Sequence, residues 1–122
     1  MKVLIVDDEP DLAEAISLLL EMKGHETVRA DSGLSGLEAV EEDRFDLILS
    51  DIRMPKCDGI QFLEKLRESP SPHPPFLFMT GFSEVTKDEV VAKGAKDILR
   101  KPVPFAELLE AVEKYGEKDN KG

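Results

Sequence analysis

One cysteine, no tryptophan, one tyrosine and two histidines occur in 122 residues, and basic residues are the minority, 16 against 26 acidic ones. The single thiol, Cys57, excludes an internal disulfide and fits a reducing compartment. The formal net charge of −10 would repel a phosphate backbone, which is bound by clustered Lys and Arg, so direct nucleic-acid binding is not expected. His25 and His73 lack the spacing of metal ligands, and with Cys57 they are read as structural residues. Long apolar runs are missing too. MKVLIV at the start meets Asp7 well short of a secretory apolar region or a membrane span, so the expectation is a soluble, cytoplasmic chain without membrane contact. No internal repeat is visible. The length suits one globular domain, expected over residues 1–116, with the polar EKDNKG at 117–122 as a tail or linker stump.

Short apolar segments are present in its place. KVLIV at 2–6, DLILS at 46–50, PFLFM at 75–79 and DILR at 97–100 read as buried strands, and the alternating ETVRA at 26–30 as an edge strand. Between them run stretches of helical period: Leu12, Ile16, Leu19 and Leu20; Leu34, Leu37 and Val40; Ile60, Leu63 and Leu66. A last helix is expected over 104–115, with Pro104 in its first turn and Phe105, Leu108, Leu109, Val112 and Tyr115 on one face. The segment 84–93 is the weakest of the helical stretches, with little to bury beyond Val85, Val90, Val91 and Ala92, and is a candidate mobile element. Pro70, Pro72, Pro74 and Pro75 read as a stiff connection before the fourth strand; a ligand for proline-binding modules is the sharper alternative. Strands alternating with helices imply an α/β fold, a doubly wound parallel sheet covered on both faces. In such sheets ligands bind beyond the carboxyl ends of the strands.

At those ends stand Asp7 and Asp8, then Asp51, then Thr80 with Gly81, then Lys101 with Pro102. Three carboxylates held together raise one another's pKa unless a cation intervenes, and a hard ion such as Mg²⁺ takes one or two of them plus waters and a phosphate oxygen. An Asp in such a cluster is also a possible nucleophile toward phosphorus. Lys101 and Thr80 supply the mobile cation and the hydroxyl that phosphoryl transfer needs, and Gly81 leaves room for a phosphoryl group. Taken singly, each feature has a plainer reading: a solvated Asp-Asp turn, a common Lys-Pro pair, a structural Thr. Their order and spacing argue otherwise. Met54 and Met79 are read as packing residues.

The segments KVLIVDDEP, DLILSDIRMPKCDGIQFL, FLFMTG and GAKDILRKPV, in this order and spacing, resemble the response-regulator receiver family over nearly the whole chain. The resemblance implies a flavodoxin-like five-stranded sheet of order 2-1-3-4-5. It implies that Asp51 accepts a phosphoryl group, that Mg²⁺ is bound by Asp8 directly, by Asp7 largely through water, by Asp51 and by the backbone carbonyl of Arg53. Lys101 would pair with the acceptor carboxylate and then the phosphoryl oxygens, Thr80 would swing in to bond one of them, and Lys101–Pro102 is a candidate cis peptide. The implied donor is a phosphohistidine on a sensor histidine kinase or phosphotransfer protein. The implied output is a surface over residues 84–115 that binds a downstream protein target, the chain being a monomer or weak dimer and a switch rather than an enzyme acting on other substrates.

Two departures from the family pattern stand out. Ile98 occupies the place of the usual Tyr or Phe, and Val103 that of the Phe after Lys-Pro. The expectation is an output surface that responds weakly, or through another side chain such as Phe82. Arg53 and Phe82 also border the expected route of the attacking water. A phosphatase of the haloacid dehalogenase type would need a second Asp where Arg53 stands, and a flavodoxin would need a hydroxyl- and Gly-rich loop where DDEPD stands. The remaining alternative is a receiver-like binding module that works without phosphorylation.

Overall fold

The computed structural model describes residues 1–54, 57–69, 73–81 and 85–120, with the side chains of 117–120 outside that description. Five parallel strands, β1 (Lys2–Val6), β2 (Glu26–Ala30), β3 (Leu47–Asp51), β4 (Phe76–Thr80) and β5 (Asp97–Arg100), form one sheet in the order β2-β1-β3-β4-β5. The inner strands are near-continuous apolar runs because helices cover both of their faces. Alternation then divides the core in two. Leu4, Val6, Ile48, Phe76 and Phe78 point to one side, while Val3, Ile5, Leu47, Leu49, Leu77 and Met79 point to the other.

Helices α1 (Pro10–Met22) and α5 (Phe105–Asn120) close the second side through Ile16, Leu20, Leu108 and Val112. Helices α2 (Gly33–Glu42), α3 (Gly59–Glu68) and α4 (Lys87–Ala92) close the first, where Phe62 packs edge-on against Phe76 with ring centres 5.3 Å apart. This is the doubly wound arrangement expected. Local chemistry sets the helix ends. Pro10 opens α1 with Asp11 in its first turn, where a missing N–H costs nothing and a negative charge meets the helix dipole. Ser32 with Ser35, and Asp58 with Gln61, form reciprocal caps on α2 and α3. Gly24 and Gly94 take φ of 91° and 112° just past α1 and α4, a conformation that favours glycine.

The structure departs from the expectations in several places. β3 and β4 each begin and end one residue later, because the ladder continues through the pairs Asp51↔Met79 and Thr80↔Arg100; both polar residues terminate strands rather than follow them. α4 is limited to Lys87–Ala92, with Thr86 as its N-cap accepting from the Glu89 amide at 3.2 Å. α5 begins after Pro104, whose carbonyl accepts from the Leu108 amide, and its backbone runs on to Asn120, past the expected helix end at 115. Phe105 is not on the buried face of α5 but 51% exposed, and Ala111 is buried with Leu108 and Val112 instead. Leu34 is likewise exposed: α2 packs on the core through Leu37 and Val40, and its buried Gly33 and Gly36, with bare α-carbons, let Cys57 and Phe62 of the neighbouring α3 region come close. Of the connection containing four prolines, Pro70 and Pro72 lie outside the described residues, as does Phe82.

Candidate functional site

The carboxyl ends of β1, β3, β4 and β5 meet at one edge, and the polar residues buried there are Asp7, Ser50, Asp51 and Thr80. Asp51 ends β3 at 5% exposure. One of its carboxylate oxygens accepts from the Ile52 amide at 2.7 Å, and the other lies 2.9 Å from Lys101 Nζ. Asp7, just beyond β1, accepts from the Glu9 amide at 2.9 Å and lies 3.3 Å from the same ammonium. Asp8 beside it is exposed. Oxygens of Asp7, Asp8 and Asp51 all lie within 4.8 Å of one another.

Electrostatics follow from this crowding. Burial pushes the Asp7 carboxyl above the ordinary carboxylate range, with the charge of Asp51 adding to it and the Glu9 amide and Lys101 working against it. Burial alone would lower the Lys101 ammonium, but its hydrogen bond to Asp51 and the charges of Asp51 and Asp7 outweigh that and hold it above its ordinary value. One cation therefore serves two buried acids while a third stands at the rim. Such an all-oxygen set, two acids buried and one open to solvent, fits a hard divalent ion that keeps part of its water shell.

The other expected residues fall around this centre. Thr80 is fully buried at the end of β4, and its carbonyl accepts from the Lys101 amide at 2.8 Å. Gly81 is exposed, and a Cβ there would meet none of the described residues within 4 Å. Arg53 follows β3 with its side chain exposed. The Lys101–Pro102 peptide is cis. Ile98 is 9% exposed and packs into the core with Phe78 and Val90.

Sequence reasoning overlooked three supports. Ser50, a polar residue beside Asp51 in an otherwise apolar strand, donates its hydroxyl to the Asp51 carbonyl at 2.8 Å. Gly59 brings α3 against the acceptor's backbone: a Cβ there would sit 2.2 Å from the Asp51 carbonyl oxygen. Gly33 donates its amide to the Cys57 carbonyl at 3.0 Å, tying α2 to the segment after β3. In each case the signal was a residue out of keeping with its element, while the contact itself is long-range. Beside the acids lies an apolar groove of about 370 Å³ lined by Leu12, Met79, Lys101, Pro102, Val103 and Phe105, with half-exposed Phe105 among its walls.

The sequence pattern of the response regulator receiver domain matches residues 3–113. The response regulator protein FleR of Pseudomonas aeruginosa is 39% identical over 115 residues, 93% of this chain but 24% of FleR. The chain thus spans about a quarter of that relative's length. Among solved structures, the receiver domain of Francisella response regulator 1452 superposes with a TM-score of 0.90 at 29% identity, covering 97% of this chain and 98% of that one. The receiver domain of the sensor histidine kinase PA1611 from Pseudomonas aeruginosa, which has a magnesium ion coordinated in its active-site cleft, gives 0.85 at 25% identity over 95% and 97% of the two chains. From its matched sequence and its shared fold, the chain belongs to the response regulator receiver family.

Proposed function

We propose that this receiver domain is a phosphorylation switch in which Asp51 is the acceptor. The observation that carries the reading is the placement of Asp51: buried, one oxygen fixed by a backbone amide and the other on Lys101, in a cluster with two further acids. The donor is a phosphohistidine on a sensor histidine kinase or phosphotransfer protein. A carboxylate oxygen of Asp51 attacks phosphorus, the P–N bond breaks with its electron pair returning to the imidazole, and an acyl phosphate results. Lys101 then follows the negative charge from the carboxylate to the phosphoryl oxygens, and the Thr80 hydroxyl, beside Gly81, donates to one of them. Asp7, Asp8, Asp51 and the Arg53 carbonyl are the residues that would hold Mg²⁺, which offsets the charge of the transferred oxygens. Water later cleaves the acyl phosphate and restores Asp51.

The new phosphoryl group adds about 1.5 to 2 negative charges and biases an existing conformational equilibrium toward a form that a downstream protein recognises through residues 84–115. A binding module independent of phosphorylation is the rival reading, but all of the acid, lysine and hydroxyl positions are filled. No helix among the described residues is long and apolar enough to cross a membrane. Intact-mass analysis after incubation with Mg²⁺ and acetyl phosphate or phosphoramidate tests the proposal. A phosphoryl mass gain is expected, lost in Asp51→Asn and in the presence of a chelator. No gain in folded, Mg²⁺-supplied protein with either donor overturns it in favour of the phosphorylation-independent module.

A further inference from the structure

At the end of β5 two successive residues reach in different directions, the one after the strand to the carboxylate site and the last of the strand to the segment that leads into α4. Lys101, immediately after β5, sits on Asp51 and Asp7. Arg100, the last residue of β5, stands in register opposite Thr80, and its guanidinium donates to the backbone carbonyl of Val85. Val85 leads directly into α4: Thr86 is the N-cap and Lys87 the first helical residue. The other end of β5 holds α4 as well, since Asp97 lies 3.5 Å from Lys87 Nζ and accepts from the Tyr115 hydroxyl of α5 at 3.0 Å. Between these two grips Ile98 faces the core, packed in the same cluster as Val85 and Val90.

This arrangement is unequal in strength. Of the residues in α4, only Val90 is buried, so apolar packing alone fixes the helix weakly, and polar ties hold both of its ends: those to β5 at its start, and those of its C-cap Lys93 to Arg67 and Glu64 of α3. Ile98 has no polar group with which to bond a moved partner, whereas a guanidinium holds a carbonyl through a directed bond. We infer that Arg100 is the coupling residue between the carboxylate site and α4: movement of the Thr80–Lys101 end of the sheet is transmitted through its guanidinium to the Val85 carbonyl and so to the start of the helix. The inference rests on the phosphorylation reading above and adds the route by which that site reaches its output face.

The test uses the whole ¹⁵N-labelled chain with beryllium fluoride and Mg²⁺ as a stable phosphoryl analogue, read by amide chemical shifts. In the natural sequence, shift changes are expected at Asp51, Ile52 and Lys101 and also at Val85, Lys87, Val90 and Val91. In Arg100→Ala the first group persists while the second loses most of its response, and Arg100→Lys, which keeps a donor, restores part of it. A purely structural role would not separate the two groups. Should Arg100→Ala lose its folded dispersion, Arg100→Gln, which keeps the stem, replaces it with the same expected split. An undiminished response at Val85–Val91 in these variants, or none there in the natural sequence, overturns the coupling role. An absence of changes at Asp51, Ile52 and Lys101 in the natural sequence would instead remove the acceptor-site reading, and the coupling role with it.

Discussion

Asp7 pays a burial penalty that its neighbours only partly offset, since its carboxyl is held above the ordinary range despite a backbone amide and Lys101. Replacing it by Asn removes the charge while keeping an acceptor for the Glu9 amide. The expected outcome is a gain in metal-free stability, read as a higher midpoint in urea unfolding, together with weaker Mg²⁺ binding. Gly59 presents the opposite case. A methyl group there would overlap the Asp51 carbonyl at 2.2 Å and crowd Phe78 at 2.9 Å, so Gly59→Ala forces backbone to shift and should cost about 1 to 3 kcal/mol in the same assay. Tyr115 is the sole tyrosine, which makes its titration readable by ultraviolet absorbance. Burial, then its hydrogen bond to Asp97 and that residue's charge, raise its phenol above the ordinary 10.0. The folded state thus keeps a proton that the unfolded chain gives up. Its contribution to stability is fully present below pH 10.0 and is lost as pH rises from there through the folded value. Asp97→Asn should bring the titration midpoint down; an unmoved midpoint would remove Asp97 as a cause.

At the scale of elements, what the sequence made legible tracks how locally each element is determined. KVLIV, ETVRA and DILR are strands with the expected limits, because apolar or alternating residues end there against charged ones. The ends of β3 and β4 shifted by one residue, since a parallel ladder depends on the partner strand and continues through Asp51 and Thr80 whatever their polarity. Phe105 and Leu34 were misplaced for a related reason. Periodicity reports which residues share a face, but which part of that face packs inward is a tertiary matter: here Ala111 joins the buried cluster of α5, and Gly36 is where α2 approaches Phe62 of α3. The site's acids, lysine and threonine were legible because they follow or end the apolar runs. Ser50, Gly59 and the Arg100–Val85 tie were not, because each acts through a contact between elements. The caps offer a test at this scale. Asp58 accepts from the Gln61 amide at 2.8 Å while Gln61 returns a bond to the Asp58 amide; Asp58→Ala should lower stability by about 1 kcal/mol, and an unchanged unfolding midpoint would deny the cap a role.

For the whole molecule, the fold supplies one edge where four strand ends converge, and the acidic balance of the chain sharpens what that edge can do. With a net charge of −10, a domain that gathers three carboxylates around one lysine disfavours further negative charge unless a cation joins it. That is the physical reason for expecting phosphoryl transfer to depend on Mg²⁺ and for expecting the product to press on its surroundings strongly enough to shift an equilibrium. α4, lightly anchored and tied to β5 by polar bonds, is the element placed to respond.

The central claim is the identity of the acceptor, and trapping its acyl phosphate tests that most directly. Borohydride added after incubation with Mg²⁺ and phosphoramidate reduces an aspartyl phosphate to homoserine with loss of phosphate, and peptide mass mapping then locates the residue. The account predicts homoserine at position 51 alone, and only when both donor and Mg²⁺ were present. Homoserine at position 7 or 8, or equal conversion without Mg²⁺, would contradict it.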